Sequence, residues 1–245
     1  SGGATNLAST ILSSSLSTTR DDITIDSEGA IDMTNARLDS SGALNIDGES
    51  IISFGPSTVI NLNGDLGSKP LTISALGDLS LANADIDVFN LYNLDEDLLI
   101  ESTGGHIDFG TADIFYDSSN TQDNVSVTIR ASNDITSAAT DGNPLTFQNT
   151  VQLDGTVSIQ ANIGSISLAD ADIVVDDFET SGSSLTLNAA TNLDLRNSRL
   201  RVKGPTTLTS GGSSNLASTI ISSTPSTNRD DITIDSNGAI TMTNA

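Results

Sequence analysis

An all-β fold is expected from this sequence: a parallel β-helix in which short strands stack turn upon turn. Three features point there. Ser1–Ala36 return as Ser210–Ala245, with 28 of 36 aligned positions identical at a constant offset of 209 residues. Beneath that long period lies a shorter one of roughly 26 residues, in the range that marks solenoids. Apolar residues alternate with polar ones through nearly the whole chain, the period of a strand with one buried face, and no helical pattern of useful length intervenes.

Residues 1–209 therefore read as one full solenoid unit and residues 210–245 as the start of the next tandem copy, with continuation into further repeats expected. Clear copies of the short repeat open at Ile23, Leu71, Leu98, Val157, Leu185 and Ile232, and weaker ones begin at Ala43, Val125 and Thr206. Counting all of them, one unit holds about eight turns. In ITIDS, Ile23 and Ile25 point one way while Thr24 and Asp26 point the other. After a Glu28–Gly29 turn, Ile31 and Met33 repeat the alternation. A corner follows, at Asn35, Asn83, Asp170, Asn197 and Asn244 in five copies and at Thr111 in a sixth. Asn and Asp tolerate left-handed backbone and bond their own main chain, which suits a tight corner. Pro70 and Pro144 each directly precede an opening Leu-Thr, a strand start that proline tolerates. The stretches near Tyr92 and from Tyr116 read as projecting loops. A β-sandwich also has short strands and frequent turns. It does not require equivalent strands to recur at a nearly fixed spacing with matching side-chain types.

The chain has 9 Lys plus Arg against 32 Asp plus Glu, a net charge of −23, with no Cys and no Trp. That charge argues against nucleic acid, whose phosphates it repels, and against anionic membrane surfaces. No apolar run approaches the roughly 20 residues of a membrane helix, so membrane insertion is not expected. Acidity is compatible with divalent cations and with solubility outside a cell.

The LTI and ITI strands, the Gly-Asp or Gly-Ala turns and the Asn-Ala corners resemble the repeats of filamentous haemagglutinin-like, giant repetitive surface proteins. The resemblance is carried by residues 71–88, 157–175 and 185–202. It implies a right-handed parallel β-helix, secretion to an extracellular or cell-surface location, and a fibrous role as filament, adhesin stalk or matrix component. Its partners would be further copies of the same repeat, together with neighbouring fibres.

Candidate chemistry is sparse. His106 is the single histidine and stands outside any His or Cys cluster; no Gly-x-Ser-x-Gly elbow is present. Acid pairs such as Asp21-Asp22 are sequence neighbours, which alternation sends to opposite faces of a strand. They recur one unit later as Asp230-Asp231, in keeping with a periodic structural role. The chain is accordingly expected not to be an enzyme. A β-helical polysaccharide-active enzyme or a glycan-binding module with its site in the Tyr92 and Tyr116 loops is the alternative. Calcium is the cofactor that the acidic loops suit, at Asp95, Glu96 and Asp97 first and at Asp21, Asp22 and Asp26 next; a solvated acidic face is the simpler reading of the same residues. Arg196, Arg199, Arg201 and Lys203 form the one basic cluster. Aligning successive turns puts Arg199 over Asp172 and Lys203 over Asp176, an inter-turn pairing that fixes register.

Overall fold

The structure, a computed structural model, describes residues 1–14, 22–55, 57–64, 71–90, 97–118, 125–138, 145–151, 155–177, 183–223 and 231–245. Among the described residues the secondary structure is all β, in three parallel sheets that form the three walls of a β-solenoid. Wall one is a nine-stranded sheet running from Ile23–Ser27 to Ile232–Ser236. Wall two has ten strands, each only two residues long, from Thr5–Asn6 to Ile240–Thr241. Wall three has nine, from Ile11–Ser13 to Ile220–Ser223. Each turn visits the walls in that order, so strands that follow one another in the chain lie in different sheets. Every hydrogen-bonded strand neighbour is one turn away.

The stacking register is fixed residue by residue. In wall one, Ile23, Leu44, Leu71, Leu98, Val127, Val157, Leu185, Thr206 and Ile232 lie one over the next. The steps between them are unequal. Ile23 to Leu44 and Leu185 to Thr206 are the shortest, and Val127 to Val157 is the longest, so the turns are less uniform than a constant spacing predicts. The next inward column runs from Ile25 through Ile46, Ile73, Ile100 and Ile129 to Ile234, and its middle members are fully buried. Wall two adds Ile31, Ile52, Leu79, Ile107, Ile135, Ile166 and Leu193. Wall three adds Leu38, Ile60, Ile86, Ile114, Phe147, Ile173 and Leu200. These columns make one continuous, mainly aliphatic core that also takes in Phe54, Phe109 and Phe147.

A third inward column of wall one has no signature along a single strand. It contains only small residues: Ser27, Gly48, Ala75, Ser102, Ala131, Ala161, Ala189, Ser210 and Ser236. These residues end wall one, where the chain turns sharply toward wall two. A Cβ on Gly48 would lie 3.0 Å from the Ile52 side chain and 3.3 Å from that of Ile31, so no large side chain fits the corner. Where serine occupies it, the hydroxyl bonds main chain: Ser27 donates to the Gly3 carbonyl at 2.7 Å and Ser102 to that of Gly77 at 2.6 Å.

The rung that begins at Thr206 departs from the aliphatic pattern. Thr206 and Ser214 stand where the neighbouring rungs carry Leu185, Ile232, Leu193 and Ile240. The Ser210 hydroxyl lies 2.9 Å from those of both Ser214 and Ser236, so this rung is knit by hydroxyls inside the solenoid.

Two expectations are corrected at this level. Tyr116 does not open a loop, because Asp113–Ser118 is a strand of wall three, and strand geometry carries Tyr116 through Ser118. The weak copy near Val125 is registered two residues later, with Val127 rather than Val125 over Leu98. Pro70, Pro144 and Tyr92 lie outside the described residues.

Ile100 tests the core. Ile100→Ala at this fully buried position is expected to cost about 2–5 kcal/mol. Thr128→Ala, on the outer face one rung away, is expected to stay within about 0.5 kcal/mol. Equal losses for the two variants in urea unfolding would contradict the assignment of faces.

Candidate functional site

The outer walls and corners hold the groups available to a partner or ligand. The corner from wall two to wall three is built first by backbone geometry. Asn35, Asn83, Asp170, Asn197 and Asn244 all have positive φ, between 56° and 59°. Ser9, Ser57 and Ser218 take the same left-handed conformation at φ 58°, 64° and 56°. The turn closes on itself: the Ala36 N–H donates to the Met33 carbonyl, and the Ala84 N–H to that of Leu81, both at 2.9 Å. Thr111 does not carry the left-handed residue of its rung. Gly110 does, at φ 53°, so the strained position has moved back by one. Glycine is needed there twice over, since a Cβ would also meet Ala82 Cα at 2.8 Å. The Thr111 hydroxyl instead donates to the Asn83 side-chain carbonyl one rung away.

Acids that end the wall-two strands hold the corner open. Asp32 Oδ1 accepts the Thr34 N–H at 3.0 Å and the Thr34 hydroxyl at 2.7 Å. These two bonds hold the Asp32 carboxyl below its ordinary pKa. Asp108 and Asp194 make the same bond to the N–H of Gly110 and Arg196, at 2.9 and 3.2 Å. These carboxylates are engaged in shaping the turn.

The corner from wall one to wall two carries a second ladder. Asp78 Oδ1 accepts the His106 N–H at 2.9 Å, His106 Nδ1 accepts the Asp134 N–H at 3.2 Å, and Asp134 Oδ1 accepts the Ser165 N–H at 2.7 Å. His106 Nδ1 also lies 3.3 Å from Asp134 Oδ2. The single histidine is thus one link in a chain of side chains that accept main-chain N–H groups.

Of the calcium candidates, Asp21, Asp95 and Glu96 lie outside the described residues, as does the side chain of Asp97. Asp22 and Asp26 are described. Asp22 Oδ1 accepts the Ala43 N–H at 2.8 Å, and Asp26 stacks on Asp47. Among the described residues no three acidic or imidazole groups converge in a set suited to a metal ion.

The register puts Arg199 over Asp172, as aligning the turns predicts. The ion contact is diagonal, however: Arg201 Nη2 lies 3.7 Å from Asp172 Oδ2. Arg201 sits over Val174, and its longer reach crosses to the carboxylate. Lys203 follows Val202, which lies over Val175, and its N–H donates to the Val175 carbonyl at 2.9 Å; the side chain of Asp176 is outside the described residues. Arg196 chelates its own neighbour Asp194, with Nε 2.9 Å from both carboxylate oxygens.

Two charge features escaped the sequence reading. The first is a polar hollow of about 290 Å³ on wall one, lined by Glu101, Ser102, Thr103, Arg130, Gln160 and Asn162. Glu101 is 9% exposed. It is held by Arg130 Nε and Nη2 at 2.7 and 2.6 Å and by the Ser74 hydroxyl at 3.2 Å. The signal was present, since Glu101 and Arg130 are equivalent residues one rung apart, but it needed the register of the weak Val125 copy. The second is on wall three, where Asp85 stacks directly on Asp113 and Asp87 lies two residues along the same outer face. Burial first, then the Asp85 and Asp113 charges, push the Asp87 carboxyl above its ordinary pKa. Burial first, then Asp85, does the same to Asp113. A carboxyl whose pKa is raised by folding destabilises the fold above that pKa, and stability recovers as pH falls through it.

The fold defines the chain as a parallel β-solenoid protein. No family model, no curated protein and no solved structure matches it.

Two substitutions probe these features. Asn83→Val places a β-branched residue in left-handed backbone and is expected to cost about 1–2 kcal/mol, whereas Asn83→Gly should be close to neutral; thermal melts that rank them the other way would refute the corner assignment. Asp113→Asn should raise the urea midpoint near neutral pH, with the advantage shrinking as pH falls into the ordinary carboxylate range around pH 4. A gain that persists unchanged at acid pH would mean that charge is not the cause.

Proposed function

We propose that the chain is a structural segment of a long, repetitive extracellular fibre, serving as surface filament, adhesin stalk or matrix component. The observation that carries this reading is the match between sequence period and stacking register. Ile23 and Ile232, equivalent residues of the long repeat 209 residues apart, occupy the same wall and the same column. A repeat that closes on a whole number of rungs lets successive copies add without a change of phase, because each new rung presents the same hydrogen-bonding edge as the last. The resemblance noted above supports the same role and supplies right-handed coiling and a cell-surface location. The mechanism is mechanical: main-chain hydrogen bonds run along the axis, and the aliphatic columns resist shear between rungs.

Engagement of several carboxylates by the main chain supports a role without catalysis. Asp22, Asp32, Asp78, Asp108 and Asp134 each accept main-chain N–H groups. Calcium binding stays part of the proposal, at Asp95, Glu96 and Asp97 first and at Asp21, Asp22 and Asp26 next. The glycan-binding alternative expects its site near Tyr92 and Tyr116, and the polar hollow around Glu101 and Arg130 adds a second surface to that reading.

Electron microscopy of the native material tests the fibre reading. Eight rungs at about 4.8 Å advance the axis by roughly 38 Å per unit. The expected pattern is a layer line at about 4.8 Å with a superperiod of roughly 38 Å. Separate globular beads without axial strand spacing would remove the fibre from consideration.

A further inference from the structure

We propose that the outer face of wall three is a lateral docking surface for a second copy of this chain laid antiparallel to the first. The face is divided by charge along the axis. Asp85 and Asp87 lie on one rung and Asp113 on the next. Arg199 and Arg201 lie together on a rung three steps beyond Asp113, counted through Thr146 and Asp172. At about 4.8 Å per rung the two patches are roughly 14–19 Å apart. Between them the outer face carries Val174, an apolar residue only 7% exposed although Ile173 and Val175 beside it point inward.

The arrangement of signs selects the geometry. Two copies laid parallel and in register place acid on acid and base on base. A parallel pair slid by three or four rungs matches one patch pair and leaves the other unmatched. A two-fold axis crossing the wall midway between the Thr146 and Asp172 rungs matches both at once, setting Asp113 of each copy opposite Arg199 of the other, with each copy using the same surface, as isologous pairs do. The stacked acids also need such a partner. Asp85 lies on Asp113 with no basic residue at the adjoining outer positions, Val59 and Thr146. Burial, and then the resulting repulsion, already raise the pKa of both Asp87 and Asp113. A guanidinium brought across the interface offsets that cost. Arg201 stays within 3.7 Å of Asp172 and balances that carboxylate inside its own copy, while the exposed Arg199 leads the contact.

Five rungs of wall three offer roughly 400 Å² per copy, about half of a standard interface. One unit therefore pairs weakly, in the range of tens to hundreds of micromolar. In an array the same contact recurs with every unit, and tethering multiplies it. That multiplication rests on the fibre reading, but the pairing itself does not, because all its residues lie within one unit.

Sedimentation equilibrium of the whole 245-residue chain, from about 10 µM to 1 mM, tests the proposal. A monomer–dimer equilibrium is expected. Arg199→Asp with Arg201→Asp, and separately Asp85→Arg with Asp113→Arg, should each weaken it by roughly tenfold or more, the scale of lost close charge pairs. Mixing the two variants should restore dimer, since both contacts of the mixed pair then set an acidic patch against a basic one, whereas each variant alone sets like on like. A wild-type chain that stays monomeric throughout, or variants that fail to recover on mixing, would overturn the proposal. Circular dichroism of each variant distinguishes lost pairing from lost fold. A 245-residue chain that stays monomeric, beside native material that shows the axial superperiod by microscopy, would leave the fibre reading standing and remove only the lateral contact.

Discussion

Each residue of the solenoid sits directly over its counterpart one turn away, and the remaining features follow from that stacking. Parallel pairing in constant register means that main-chain N–H and C=O groups are satisfied almost wholly between turns. It also brings like side chains together at the strand spacing. For aliphatic residues this is favourable, because columns such as Ile46, Ile73, Ile100 and Ile129 interdigitate and exclude water along the axis. For charges it is unfavourable unless the sign changes from one rung to the next. Glu101 over Arg130 and Asp172 beneath Arg199 make that change. Asp85 over Asp113 does not, and burial together with repulsion raises the pKa of Asp113 and of neighbouring Asp87.

Variation in turn length is confined by the same stacking. The path from wall one to wall three is equally long in the rungs Ile23 to Arg37, Leu71 to Asp85 and Leu185 to Arg199. The return from wall three to the next wall-one strand is not constant, and the link from Asp113 to Val127 is twice as long as that from Arg37 to Leu44. One rung departs from the equal path between walls one and three: that from Val127 to Thr146 is longer, and the extra residues fall between Ile135 and Thr146. The return segment leaves one finished rung and joins the next, so it accepts insertions without disturbing either stack. Length variation therefore collects mainly on the return edge, with the rung from Val127 to Thr146 as the exception.

Such a division suits a scaffold that carries information on its surface. The inside is nearly the same from rung to rung, and its small departures are absorbed by hydroxyls. Thr58 and Ser198 replace the buried corner alanine of other rungs and donate to the Met33 and Leu168 carbonyls at 2.8 and 2.6 Å. The outside changes sign, size and polarity along the axis without cost to the core. A charge pattern displayed on a rigid rod is a distance code, and two rods read each other's code best when antiparallel.

Much of this was legible along the chain: the parallel solenoid, the apolar columns that open the three walls, and the corner at Asn35, Asn83, Asp170, Asn197 and Asn244. Each depends on local chemistry, since alternation sets which face is buried and only a few residue types accept left-handed backbone. Thr111 misled because the corner can be closed with the left-handed residue at either central position, and Gly110 accepts what Thr cannot. Which residues meet across rungs is settled only by the folded stack. The small-residue column is invisible in one strand, since Gly48 is required by the approach of Ile31 and Ile52 from the adjoining wall. The Glu101–Arg130 pair, the diagonal reach of Arg201 to Asp172 and the acidic stack on wall three depend on register between segments a full turn apart in the chain. A small difference in the length of a return loop changes no strand pattern, but it decides which charges stand face to face.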